Sequence, residues 1–156
     1  MITWEKGPDC ATFNSAYLAY NLPPGDSQTF AARGIAMIVS LSKSFHFEAA
    51  HDLPTFPVDH KCRRLHGHSF RFDVHVEGEL DPAKGYLIDY GDIKKTVDPL
   101  VKQLDHYYLN DIEGLSNPTS EMIAVWLWNK IKPALPLLAR IVVHETCTST
   151  CEYRGK

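Results

Sequence analysis

Residues 69–77 alternate apolar and polar without a break. Phe70, Phe72, Val74 and Val76 share one parity; Arg71, Asp73, His75 and Glu77 share the other. Successive side chains of a strand point to opposite faces, so this run predicts an antiparallel strand with one face buried. Residues 37–49 are also rich in β-formers, and Phe45, Phe47, Ala49 and His51 share a parity. Consecutive strands usually pair, so these two are expected to be neighbours.

The remaining pattern is helical and then extended. Asp81-Pro82-Ala83-Lys84-Gly85 reads as a turn. A helix starting near Asp89 or Tyr90 carries Ile93, Val97, Leu100, Val101 and Leu104 on one stripe, with a bend expected at Pro99. A second helix is predicted with Asn117 as N-cap and Pro118 in the first helical position, running to about Ile131 before Pro133 and Pro136. Residues 138–146 read as a strand and 150–154 as a short edge strand. The order is ββααββ, an α+β class.

Residues 1–36 differ. They hold Pro8, Pro23, Pro24, Gly7, Gly25 and Gly34 with weak periodicity, and read as a flexible natural extension or as a stretch upstream of a misplaced start, in either case dispensable to chemistry. The working domain is expected over 37–156. No basic segment leads into an apolar one, so no secretory signal is expected. Four cysteines without framework spacing predict reduced thiols and a cytoplasmic location. Apolar runs are too short for a spanning helix, so no membrane partner is expected. A net charge of −3 gives no global case for nucleic acid.

The eight histidines are unevenly spread. His66 and His68 flank Gly67. On a strand, residues i and i+2 project from one face, so two imidazoles can converge on one ion. Both share the parity of Phe70, and His51 continues the Phe45/Phe47 face. Three histidines from two adjacent strand ends suit a zinc that keeps a fourth position open, although Co²⁺ or Ni²⁺ would bind the same donors. His-x-His alone also occurs as an ordinary surface or core pair. His46, His75 and His144 fall on the opposite parity and His60 lies in the connecting loop.

Cys62 lies within Lys61-Cys62-Arg63-Arg64, where three cations favour the thiolate. It could be nucleophile, general base, fourth ligand or plain buried cysteine. Asp105-His106 follows the first helix. It could relay protons, or simply place a histidine on the helix dipole. Glu145 shares the parity of Ile141 and Val143, where an acid is costly without a donor. It could accept two hydrogen bonds from an amidine-like ring edge, or form a salt bridge at the strand end.

The string His60-Lys61-Cys62-Arg63-Arg64-Leu65-His66-Gly67-His68-Ser69-Phe70 resembles the zinc and thiol segment of the 6-pyruvoyl-tetrahydropterin synthase superfamily. Its Cys-x-x-x-His-x-His spacing looks like the bacterial 6-carboxy-tetrahydropterin synthase branch. Phe47-Glu48-Ala49-Ala50-His51, Leu104-Asp105-His106 with Leu109-Asn110, Asn117-Pro118-Thr119-Ser120-Glu121, His144-Glu145-Thr146 and the tail from Cys147 to Gly155 agree with it. The resemblance covers residues 37–156.

It implies a tunnelling fold, with a four-stranded antiparallel sheet and two helices on one face. Three subunits would close a barrel and two trimers would stack into a homohexamer, with active sites between subunits. The implied reaction converts 7,8-dihydroneopterin triphosphate to 6-carboxy-5,6,7,8-tetrahydropterin, releasing acetaldehyde and triphosphate, in queuosine biosynthesis. His51, His66 and His68 would hold Zn²⁺, Cys62 would be the base, and Asp105 and His106 would relay protons. Glu145 would anchor the pterin, and Thr119, Ser120 and Glu121 would line its pocket. Arg63 stands where relatives often have a small residue; with Lys61 and Arg64 it is expected to meet the triphosphate. The competing readings are the 6-pyruvoyl branch and a non-catalytic zinc or purine-binding module.

Overall fold

The computed structural model describes residues 36–156, so the expected extension over 1–36 lies almost wholly outside the described residues. β1 (Ile38–His51) and β2 (His66–Glu79) run antiparallel over their full lengths, from Ile38 opposite Glu79 to His51 opposite His66. Both strands therefore reach the histidines that parity put on the apolar face. Phe47 stacks on Phe70 with ring centroids 4.9 Å apart, and Phe45 on Phe72 at 5.3 Å. All four rings are buried, each burial contributing about 1.5–3 kcal/mol.

β4 (Leu138–Thr146) pairs antiparallel with β2, and β5 (Ser149–Tyr153) with β4. The helices α1 (Tyr90–Leu104) and α2 (Ser120–Ile131) cover the apolar face, α1 against β1 and α2 against β4 and β5. Ile93, Val97, Leu100 and Leu104 form the buried stripe of α1. That helix runs unbroken through Pro99, which is exposed.

Two expectations are corrected. The sheet has five strands, not four, because β3 (Tyr107–Tyr108) pairs parallel with Ala49–Ala50 and gives the order β3-β1-β2-β4-β5. Two residues carry no periodicity, so only docking against β1 makes them a strand. The second helix is capped by Thr119 rather than Asn117: the Thr119 hydroxyl accepts from the Met122 N–H. Pro118 thus stays outside the helix and its carbonyl is free for another donor. No helix among the described residues is long and apolar enough to cross a membrane.

Candidate metal centre and active site

The β1–β2 register brings His51 opposite His66 and Ala49 opposite His68. The rings of His51, His66 and His68 lie 4.5–5.2 Å apart, centroid to centroid, at the end of the phenylalanine stack. Gly67 faces the other way, and a Cβ there would come within 3.1 Å of the Ala49 carbonyl oxygen. Absence of a side chain lets the two strands stay close where the rings converge.

Backbone carbonyls orient two of the rings. His51 Nδ1 donates to the Pro118 carbonyl at 2.9 Å, and His66 Nδ1 donates to that of Arg64 at 2.6 Å. A carbonyl only accepts, so each Nδ1 carries the proton and each Nε2 keeps its lone pair. Among the described residues, the Nε2 atoms of His51 and His68 are buried without a hydrogen-bond partner. Leaving such atoms unpaired costs about 1–3 kcal/mol each. Burial pushes both imidazoles below their ordinary value, the Glu145 carboxylate acting in the opposite sense. Neutral nitrogens with inward lone pairs are the donors a divalent cation takes.

Glu145 completes the group. Its Oε1 lies 3.3 Å from His68 Nε2 and 3.9 Å from His51 Nε2, close enough for ion pairing but without hydrogen-bond alignment at His68. Ser120 Oγ donates to Oε2 at 2.6 Å. One ligand atom from each of His51, His66, His68 and Glu145 falls within 4.8 Å of all the others. The donor set fits zinc, three imidazoles and one carboxylate being hard-to-borderline ligands with no redox demand.

Cys62 and Lys61 border a cavity of about 390 Å³ shared with His66, His68 and Glu145. Cys62 sits on a braced loop. Its carbonyl accepts from the Leu53 N–H, its N–H donates to His60 Nδ1, and His60 stacks on Phe56. Arg63 turns its guanidinium into the same loop, onto the carbonyls of Pro54 and Phe56. Thr119 uses its hydroxyl to cap α2, and Glu121 is exposed on the first turn of that helix.

Asp105 and His106 stand elsewhere. Asp105 Oδ1 accepts from the Glu48 N–H at 2.9 Å, and the His106 N–H donates to the Glu48 carbonyl. His106 Nδ1 lies 3.0 Å from Asp105 Oδ2. The Glu48 N–H first, and His106 second, hold the Asp105 carboxyl below the usual carboxylate range. His106 has φ 62° and a side chain 77% exposed; it borders a second cavity, of about 540 Å³, with Glu48, Gly67 and Ser69. Only His68 borders both cavities. Within one chain, therefore, the structure gathers Glu145 with the three histidines and puts Cys62 beside them, while His106, paired with Asp105, opens to a different space.

Sequence reasoning missed the Pro118 and Arg64 carbonyls, because every residue type carries one. It also missed Asn110, whose side chain binds both backbone polar groups of Asp52. The Leu109-Asn110 pair after Asp105-His106 was the available signal.

A family model described as 6-pyruvoyl tetrahydropterin synthase matches residues 40–156. The chain is 50% identical over 117 residues to a Synechocystis protein named 6-carboxy-5,6,7,8-tetrahydropterin synthase, covering 71% of this chain and 89% of that one. It is 44% identical over 90 residues to the Pyrococcus furiosus dihydroneopterin monophosphate aldolase, covering 58% and 72%. The structure of Caenorhabditis elegans 6-pyruvoyl tetrahydropterin synthase superposes with a TM-score of 0.72 at 27% identity, covering 78% of this chain and 99% of that one.

Proposed function

The chain belongs to the 6-pyruvoyl tetrahydropterin synthase family, and from that premise we propose that it is a zinc-dependent lyase acting on a pterin. Its reaction converts 7,8-dihydroneopterin triphosphate and one water to 6-carboxy-5,6,7,8-tetrahydropterin with release of acetaldehyde and triphosphate, a step of queuosine biosynthesis in the cytoplasm. The observation that carries this reading is the pair of buried, unpartnered Nε2 atoms facing Glu145 beside the Cys62 cavity.

His51, His66 and His68 hold the Zn²⁺. When bound, it supplies Lewis-acid polarisation of the substrate's side-chain oxygens. Cys62 takes a proton from the substrate side chain; its loop, fixed by Arg63 and His60, sets where the sulfur stands. Asp105 holds His106 Nδ1, leaving the exposed Nε2 to exchange protons. Since Cys62 and His106 border different cavities of one chain, the His106 that serves a given Cys62 comes from another copy. A homohexamer built as a dimer of trimers provides such pairs.

Glu145 acts beside the metal rather than at the far edge of the pterin, because Ser120 engages one oxygen and the histidines face the other. The pterin amidine edge then falls to Glu121, whose carboxylate has no hydrogen-bonded or ion-pair partner among the described residues. Lys61, bordering the Cys62 cavity, meets the triphosphate; Arg63 supports it by holding the loop.

The test is incubation of the zinc-loaded protein with dihydroneopterin triphosphate, followed by identification of the pterin and the carbonyl product. Carboxy-tetrahydropterin with stoichiometric acetaldehyde is expected. A 6-pyruvoyl pterin without acetaldehyde, or a retro-aldol product of the kind the Pyrococcus relative's name describes, would overturn it.

A further inference from the structure

We propose that Asn110 is a positioning residue for the metal centre, holding His51 from both sides. The inference rests on the reading of His51 as a zinc ligand. Asn110 Oδ1 accepts from the Asp52 N–H at 3.1 Å, and Nδ2 donates to the Asp52 carbonyl at 2.8 Å. Asp52 directly follows His51, so the amide grips the backbone at the very end of β1 as a neighbouring strand would. The same Nδ2 donates to the Ser116 carbonyl at 3.3 Å. Ser116 lies two residues before Pro118, whose carbonyl takes the His51 Nδ1 proton. One side chain therefore ties together the backbone that carries the ring and the loop that selects its tautomer.

The surrounding contacts make this grip rigid. Asn110 sits in a 3₁₀ turn, Leu109–Asp111, anchored by the fully buried Leu109. Just before it, Tyr107 and Tyr108 pair with Ala49 and Ala50, and the Tyr108 hydroxyl donates to the Asp52 carboxylate. Asp105 and His106 are bonded to Glu48. Residues 105–110 are thus fastened along β1 from Glu48 to Asp52. Asparagine is required for its part: it donates and accepts at once, whereas Asp cannot donate and Ala does neither. Partners that orient a ligating imidazole typically change metal affinity about 10–100-fold when removed.

The experiment measures zinc affinity of the full chain by chelator competition, and the His51 tautomer of metal-free protein by ¹⁵N NMR, in wild type, Asn110→Ala and Asn110→Asp. Trp126→Phe, which removes a part-buried hydrogen bond to the Glu113 carbonyl and touches none of the Asn110 contacts, controls for plain destabilisation. Expected is a loss of zinc affinity of about 10–100-fold in both Asn110 variants, with His51 passing from a single Nδ1–H tautomer to a mixture. Trp126→Phe should lower the Tm and leave both readouts unmoved. Asn110→Asp, equal in size, stands in if Asn110→Ala does not fold. Affinity within twofold of wild type and an unchanged tautomer would overturn the proposal while leaving the metal reading intact. If wild type itself binds no zinc, the metal reading fails, and the tautomer alone decides whether Asn110 positions His51.

Discussion

The two histidine sites flanking the end of β1 are built on opposite plans. On the helix-covered side, His51 is fully buried, its Nδ1 is held by a carbonyl, and its Nε2 faces two more imidazoles and a carboxylate. On the other side, His106 is 77% exposed and sits in the left-handed region, with the Asp105 carboxylate 3.0 Å from its Nδ1. A non-glycine residue there costs free energy, and such positions cluster at functional sites. The first site is assembled by one chain. The second presents its ring outward, to solvent. The difference teaches that one strand end can carry a buried, pre-oriented imidazole and an exposed one side by side, so that each can be altered without touching the other.

The largest effect should come from the buried side. Replacing His66 with Ala removes a ligand, so zinc affinity should fall by more than about a hundredfold, because loss of outer partners alone can reach that. His106→Ala should abolish turnover and leave zinc affinity within twofold. Metal titration of the two variants separates the plans; equal loss of affinity in both would erase the distinction.

The second effect tests the exposed side. Cys62→Ala and His106→Ala should each be inactive alone. Dissociated, mixed in equal amounts and reassembled, they should recover activity at about one site in four, if each site joins Cys62 of one copy to His106 of another. No recovery in verified mixed assemblies would mean that one chain supplies both groups, against the separate cavities.

How much of this contrast was legible in the sequence follows from what each part is made of. The phenylalanine and valine alternation and the matched parity of His51, His66 and His68 are side-chain facts at a fixed period, and they are enough for the strand pair and for the convergence of the three rings. β3 was illegible because a two-residue strand exists only through docking. The cap at Thr119 was hidden by a competing Asn117-Pro118 signal; what separates the two is that the Pro118 carbonyl is used by His51. Arg63 was read as a cation near a thiol, yet adjacency in sequence does not give the direction of a guanidinium, which here enters the loop.

A third effect concerns Glu145. Glu145→Gln keeps the shape and an acceptor for Ser120 but removes the charge beside His51 and His68. Zinc affinity should drop about tenfold or more, by analogy with lost partners of ligating groups. Should affinity hold while KM for the pterin rises, Glu145 faces substrate instead, as the family resemblance first suggested.

The smallest effect lies at a cluster on the polar face of the sheet that borders neither cavity. Asp73 accepts from Ser44 Oγ and from His144 Nε2, the latter at 2.8 Å, and Arg71 lies 3.8 Å away. Burial raises its carboxyl, but the bonds from Ser44 and His144, with Arg71, outweigh it and hold the group below the ordinary carboxylate value. A depressed folded pKa means that the unfolded chain binds the proton first as pH falls. The contribution is therefore complete above the unfolded carboxylate pKa of about 3.9 and is lost as pH falls through the lower folded value. Asp73→Asn should thus destabilise metal-free protein by about 1 kcal/mol at pH 7, and by less at pH 3, in urea unfolding. The same substitution should leave zinc affinity and turnover unchanged, because Asp73 borders neither histidine cavity; a loss of activity at unchanged stability would tie this cluster to the exposed plan after all.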